Sequence, residues 1–204
     1  TRDFLCSSAG QAAKIAKKEF GGAAVVMKIA SAEILHKSDL DLVRIGVTGA
    51  AEVRKTFDEL MAVATRRAKG ARIDGVLLCE MAEPGIECVV GVSRDELFGP
   101  VVMFGLGGVF VEVFGDVAFR VPPFDRDEAL RMIEQTVGSA LLHGQRGSKP
   151  VKISAVVDVL MKVQKLAMDS ASTISELDIN PLVVRANGVV ALDALIVREP
   201  NTVG

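Results

Sequence analysis

Residues 176–197 read ELDINPLVVRANGVVALDALIV. Two apolar-rich runs, 176–185 and 188–197, flank Asn187-Gly188, a pair that tolerates the positive φ of a tight hairpin turn. The spacing predicts a closing pair of antiparallel strands. Along the first run Glu176, Asp178 and Asn180 alternate with Leu177 and Ile179, so the three polar residues share one face. Asp193 falls close to Asp178 and Asn180 when the turn is at Asn187-Gly188. Oxygen donors grouped in this way suit Mg²⁺, which takes one or two carboxylates and keeps waters and substrate phosphates. A solvent-facing polar strip is the plainer reading. The surrounding apolar residues (Leu177, Ile179, Leu182, Ala191, Leu192, Ala194) favour a central hairpin and hence the metal.

Working back from this hairpin, residues 152–168 and 125–137 carry apolar residues at helical spacing, separated by a glycine-rich loop over 138–150. Strands are predicted near 101–105, 108–114 and 117–121, ended by Pro122-Pro123. Residues 74–81 and 86–93 read as strands turned at Glu83-Pro84-Gly85. Val53, Phe57, Leu60, Met61 and Ala64 mark a helix over 51–68, preceded by strands at 24–30 and 43–47. Residues 9–19 form a short amphipathic helix stopped by Gly21-Gly22. The segment 31–42, SAEILHKSDLDL, is polar and irregular. Helices set between short antiparallel hairpins predict an α+β fold of two lobes, divided near residues 69–74.

Bulk properties narrow the function. The chain has 204 residues, half of them hydrophobic, with a net charge of −2. Such a charge calls for neither nucleic acid nor an anionic membrane surface. Nine Phe with no Tyr or Trp make a poor base-stacking platform. Cys6, Cys79 and Cys88 are odd in number and lack metal-type spacing, so free thiols in a reducing, cytoplasmic setting are expected. No apolar run is long enough to span a membrane, and no signal peptide is visible.

Three further features could carry chemistry. Lys28 places a charge inside an apolar strand, either as an edge lysine reaching solvent or as a phosphate ligand. His36, beside Lys37, is either a solvated loop histidine or a nucleophile whose imidazole accepts a phosphoryl group. The run Phe104-Gly105-Leu106-Gly107-Gly108 lets backbone N–H groups approach an anion, although a tight hairpin also explains it. No Gly-Lys-Ser/Thr follows it, and no helix is predicted to open after it, so it is neither a Walker loop nor a dinucleotide fingerprint.

Six motifs now stand in order: VVMK at 25–28, HKSD at 36–39, FGPVVMFGLGGVFVE at 98–112, LLHGQRG at 141–147, ELDINPL at 176–182 and VVALDA at 189–194. Together they resemble the ATP-grasp domain of the NDP-forming acyl-CoA synthetases, the ADP-forming acetate–CoA ligases, with succinyl-CoA ligase beta subunits as more distant relatives. The resemblance implies a two-lobed ATP-grasp fold with mixed antiparallel sheets and flanking helices. Its first lobe would be 1–73, N-terminally incomplete, and its second 74–204, with the metal site. It implies that Lys28 contacts ATP phosphates, Glu80 and Met81 the adenine, and Glu87 the ribose. Gly107, Gly108 and Glu112 would face the phosphoryl-transfer centre. Asn180 and Asp193, with Asp178 beside them, would hold Mg²⁺. His36 would carry the phosphoryl group between subunit sites. The implied partners are ATP/ADP and a CoA-binding, catalytic domain or subunit of the same synthetase.

One departure stands out. After HKSD the family usually shows Val-Gly-Gly-Val, and this chain has Leu40-Asp41-Leu42-Val43. An acid and a bulky residue at these positions are expected to disturb a phosphate cradle. They favour a rival reading, a non-catalytic or regulatory ATP-grasp relative such as a synthetase-like region of a protein acetyltransferase. Lys28, His36, Asn180 and Asp193 oppose it. A stand-alone carboxylate–amine ligase fits the HKSD and LLHGQRG motifs less well.

Overall fold

The computed structural model describes residues 1–34, 40–145 and 150–198. The chain divides into two compact units, Thr1–Ala82 and Glu83–Gly204.

The first unit is a four-stranded antiparallel sheet, ordered β1-β4-β2-β3, from β1 (Asp3–Cys6), β2 (Val25–Ala30), β3 (Val43–Val47) and β4 (Gly75–Glu80). Helices α1 (Ala9–Phe20) and α2 (Ala50–Arg67) pack with it. Helix α1 begins where the Ser8 hydroxyl accepts the Gln11 N–H and the Gln11 amide oxygen accepts the Ser7 N–H. It ends at Gly21, whose φ of 62° is the left-handed conformation that glycine adopts most readily. Period-2 alternation puts Val25, Met27 and Ile29 of β2 into the core, with Val53, Phe57, Leu60 and Ala64 of α2. Lys28 therefore lies on the opposite sheet face.

The second unit is a six-stranded sheet, ordered β10-β8-β5-β6-β7, with β9 also paired to β8. Its strands are β5 (Ile86–Asp95), β6 (Gly99–Leu106), β7 (Val117–Arg120), β8 (Ile174–Arg185), β9 (Gly188–Ala191) and β10 (Ala194–Arg198). Its helices are α3 (Val109–Glu112), α4 (Arg126–Glu134), α5 (Ser139–Leu142) and α6 (Ile153–Asp169). Val156, Leu160 and Val163 of α6 and Met132 and Ile133 of α4 join Val90, Phe104, Leu106, Leu182 and Val184 in one core. Each large side chain buried here stabilises the unit by roughly 1.5–3 kcal/mol before conformational entropy is counted. The Gln164 amide anchors the Pro122-Pro123 segment from inside: its Oε1 accepts the Phe124 N–H and its Nε2 donates to the Phe124 carbonyl.

Several elements differ from the sequence reading. The division between units falls at Ala82–Glu83 and not near 69–74, because β4 lies between β1 and β2 in the first sheet. For the same reason 74–81 and 86–93 are not a hairpin: β4 and β5 belong to different sheets. Gly85 serves a different purpose there. A Cβ on it would lie 2.5 Å from the Val184 carbonyl and 2.6 Å from the Val183 side chain, so only glycine lets the chain pass β8 so closely. Residues 109–112 form a short helix where a strand over 108–114 is expected. Gly108, at φ 62°, turns the chain, and the Val111 N–H donates back to its carbonyl. Helix α5 occupies part of the expected 138–150 loop, and β1 has no counterpart in the sequence reading.

Candidate functional site

The return run 188–197 is two strands, β9 and β10, interrupted at Leu192-Asp193 opposite Asn180-Pro181. Across this break the Leu192 N–H donates to the Pro181 carbonyl at 2.9 Å, and the Asn180 N–H to the Asp193 carbonyl at 3.3 Å. Asn180 and Asp193 are thus direct cross-strand neighbours. Asp178 pairs with Leu195 on β10 and Gly91 on β5.

The same place reverses the strand's inside and outside. Leu177 lies in the core and Ile179 packs against it, whereas beyond the break Leu182 and Val184 are the core residues. Strand β8 has one extra residue there against β5, since Cys88 pairs Leu182 and Val90 pairs Ile179. A one-residue bulge exchanges the faces that odd and even positions occupy. Before it, Glu176, Asp178 and Asn180 point away from the helix-covered face, with Glu176 and Asn180 exposed and Asp178 half-buried. The bulge therefore places Asn180 at the end of a polar row, at the point where β8 turns apolar. Among the described residues, no three of His, Cys, Asp and Glu gather at metal-binding distance. Two carboxylates and one amide make an incomplete oxygen set. That suits a hard cation that takes its other ligands from phosphate and water.

Strand β5 and the glycine run meet beside this row. The Gly107 N–H donates to the Glu87 carbonyl at 2.7 Å. A Cβ at Gly107 would lie 3.1 Å from the Glu87 Cβ and carbonyl oxygen, so the two chains touch backbone to backbone. The Glu87 side chain is exposed, and its neighbour across β8 is Val183. Gly108 has open space around it, and its glycine answers to the left-handed φ alone. Glu112 closes α3. Asp116 holds the segment after that helix: its two carboxylate oxygens accept the Val137 and Gly138 N–H groups, both at 2.8 Å. The sequence reading missed this residue. Its position between a glycine and a strand start was the available signal.

In the first unit, Lys28 is only 8 % exposed and lies between Val43 on β3 and Leu77 on β4. Because β2 lies between β4 and β3, Lys28 is not on an edge strand, and most of its surface is covered. The Glu80 carboxylate forms an ion pair with Arg2 at 3.1 Å, and the Arg2 carbonyl accepts the Glu80 N–H. The hydrogen bond from Arg2 holds the Glu80 carboxyl below the usual glutamate range. Its side chain is thus engaged within its own unit by a residue that the sequence reading passed over. Met81 is exposed. The candidate carrier His36 lies outside the described residues, as do Lys37 and the end of the LLHGQRG motif. The other histidine, His143, pairs with Glu134 at 2.8 Å. Lys28, Glu80 and Met81 thus belong to the first unit, and Glu87, Gly107, Gly108, Glu112, Asp178, Asn180 and Asp193 to the second.

The departure from the glycine pair is accommodated. Leu42 is fully buried in the first core, so its bulk fills a hydrophobic site and obstructs no turn. Asp41 adopts φ 59°, the left-handed region that glycine favours, and its carboxylate is paired with Arg44.

These features define an ATP-grasp protein, and the chain belongs to that family: the profile of the ATP-grasp domain matches residues 1–197. Within it, the chain is 41 % identical over 180 residues to the beta subunit of acetate–CoA ligase (ADP-forming) II from Pyrococcus furiosus, covering 87 % of this chain and 76 % of that subunit. Among solved structures it is similar to an acetyl-coenzyme A synthetase from Ca. Korarchaeum cryptofilum in complex with coenzyme A, Ca-AMPCP and HgCl⁺. The TM-score is 0.92 at 39 % identity, over 98 % of this chain and 86 % of that one. A further structure of that synthetase contains coenzyme A and Mg-AMPPCP, with its phosphohistidine segment pointing towards the nucleotide binding site. It matches with a TM-score of 0.80 at 36 % identity, over 98 % of this chain and 84 % of that one. The resemblance carried by the six motifs is borne out, as is the α+β ATP-grasp fold. Among the described residues, no helix is long and apolar enough to cross a membrane.

Proposed function

We propose that this chain is the nucleotide half of an ADP-forming acyl-CoA synthetase that works in the cytoplasm. The two compact units are its two lobes. It binds Mg·ADP or Mg·ATP and passes a phosphoryl group between nucleotide and histidine. Its partner, a CoA-binding and catalytic domain or subunit, carries out the acyl chemistry. The overall conversion is acyl-CoA + ADP + phosphate ⇌ carboxylate + CoA + ATP.

The observation that carries this reading is the enclosed lysine. A cation buried to 8 % exposure on the helix-free face of β2 has the charge and the low-dielectric setting to bind phosphate oxygens strongly. In this proposal Lys28 neutralises the phosphates, Glu80 and Met81 contact the base through the hinge strand, and Glu87 contacts the ribose. Gly107, whose own N–H is taken by the Glu87 carbonyl, and Gly108 let the chain face the transferred phosphate, with Glu112 of the short helix after them. Asn180, Asp193 and Asp178 would hold Mg²⁺, which would supply charge neutralisation to the phosphates when bound. His36 is the carrier: an imidazole nitrogen gives its phosphoryl group to the β-phosphate oxygen of ADP, and takes it back from ATP in reverse.

Titration calorimetry with Mg·ADP tests the binding step. Wild type should bind, and Lys28→Ala should weaken binding at least about tenfold, the size of one lost charge-assisted phosphate contact. Wild type without heat at millimolar ligand would sink the reading. The carrier step is tested with the partner, acyl-CoA, phosphate and ADP: acid-labile phosphate should appear on wild type and not on His36→Ala.

A further inference from the structure

Asp41 is the one non-glycine residue with a left-handed backbone among those described. Such a conformation persists in a non-glycine residue when its surroundings fix it. Here the fixing groups are two arginines. Arg44 Nη1 donates to the Asp41 carbonyl at 3.0 Å and to Oδ1 at 2.7 Å, and its Nη2 donates to Oδ2 at 3.2 Å. Nη1 also reaches the Val43 carbonyl at 2.9 Å, which binds the guanidinium to β3 itself. From α2, Arg67 Nη1 donates to the Leu40 carbonyl at 3.1 Å and stands 3.9 Å from Asp41 Oδ2. Leu42 follows, fully buried, with its carbonyl accepting the Ile29 N–H of β2 at 3.1 Å. Residues 40–42 are therefore bound to β2, β3 and α2 at once.

The carboxylate matters more than the charge. Asp41 is half exposed, so the ion pair alone contributes little. What Asp41 adds is geometry. One guanidinium grips both its carboxylate and its own carbonyl, which ties the side chain to the peptide whose φ is unusual. A glycine would reach the same φ and leave the turn free to move.

We propose that Asp41 is a positioning residue: its carboxylate, held by Arg44 and Arg67, locks residues 40–42 and so fixes the point from which the chain runs back to His36. The functional consequence rests on the carrier role proposed for His36; the latch itself does not.

Hydrogen exchange and turnover together test this. Asp41→Gly keeps the left-handed turn accessible and the bond to the residue-41 carbonyl, and removes the carboxylate with the restraint it puts on the backbone. Exchange of amides in 40–43 should quicken about tenfold in Asp41→Gly. In the complete synthetase, kcat for ATP formation should fall several-fold with KM for Mg·ADP unaltered. Equal exchange in wild type and Asp41→Gly would overturn the latch. Quickened exchange with unaltered kcat would overturn its role in positioning. Wild type that makes no ATP would overturn the carrier function, and the exchange measurement would still decide the latch.

Discussion

Replacing Gly107 by alanine would separate two reasons for a glycine in the run beside Glu87. The new Cβ would lie 3.1 Å from the Glu87 Cβ and oxygen and 3.2 Å from its carbonyl carbon. Two of these are backbone atoms of β5, a strand paired on both sides, so they cannot swing away as a side-chain end could. The loop must lift by a few tenths of an ångström, which stretches the 2.7 Å hydrogen bond from the Gly107 N–H to the Glu87 carbonyl. Overpacking of this kind costs roughly 1–3 kcal/mol, and a weakened hydrogen bond adds up to about 1 kcal/mol. A loss of about 2–3 kcal/mol should lower the melting temperature of the second unit by roughly 6–15 °C. Gly108→Ala is the control. It meets no atom within 4 Å and pays only for φ 62°, about 1 kcal/mol. Adding Glu87→Gly to Gly107→Ala removes one of the three close contacts and should restore part of the loss. Thermal and urea unfolding followed by circular dichroism would measure all four proteins. If Gly107→Ala is no more destabilising than Gly108→Ala, close approach to β5 is not why glycine is needed there.

Three other outcomes follow from the same structure. Burial, with the charge of Glu87 alongside, pushes the Cys88 thiol up to about 12, so a thiol reagent at pH 8 should leave it unlabelled until the protein is unfolded; rapid native labelling, read by mass spectrometry, would contradict the packing. Phe104→Ala, at a fully buried position in the second core, should cost about 3–5 kcal/mol in urea unfolding. Glu80 is held below the usual glutamate range by the hydrogen bond from Arg2, so its contribution is full above that range and lost as pH falls through the lowered value. The melting temperatures of wild type and Arg2→Met should accordingly differ at neutral pH and converge in acid; a gap that persists at low pH would place the effect in the Arg2 contacts with the Phe20 ring and the Glu19 carbonyl instead.

Much of this molecule was legible in its residues because the signals are local. The Ser8 cap and Gly21 stop bound α1 close to where the sequence puts them, since both act through hydrogen bonds and φ preferences within one turn. The strand over 24–30 was legible as an apolar run carrying one lysine, and β2 occupies Val25–Ala30. The closing hairpin was legible, but its two-residue turn is Ala186-Asn187, one position earlier than the Asn187-Gly188 turn the sequence suggests: Arg185 pairs with Gly188, and that register brings Asn180 opposite Asp193. The segment 109–112 misled for the opposite reason: Val-Phe-Val is a β-branched and aromatic run that reads as a strand, and the helical turn depends on Gly108 and on contacts made around Gly105.

What the sequence determined by itself was composition, periodicity, turns and six ordered motifs, and these sufficed for the family and the kind of chemistry. Only the tertiary structure decided which strands share a sheet. Glu83-Pro84-Gly85 looks like a hairpin turn, yet β4 pairs with β1 and β2 while β5 pairs with β6 and β8, because sheet membership is set by burial against distant strands. Nor could the sequence show that Asp41 would take a glycine's conformation with Arg44 and Arg67 closing on it, or that one extra residue near Asn180 would reverse the faces of β8. Each depends on partners far along the chain, and spacing within one segment carries no information about which distant group will arrive to satisfy a charge, a hydrogen bond or an apolar face.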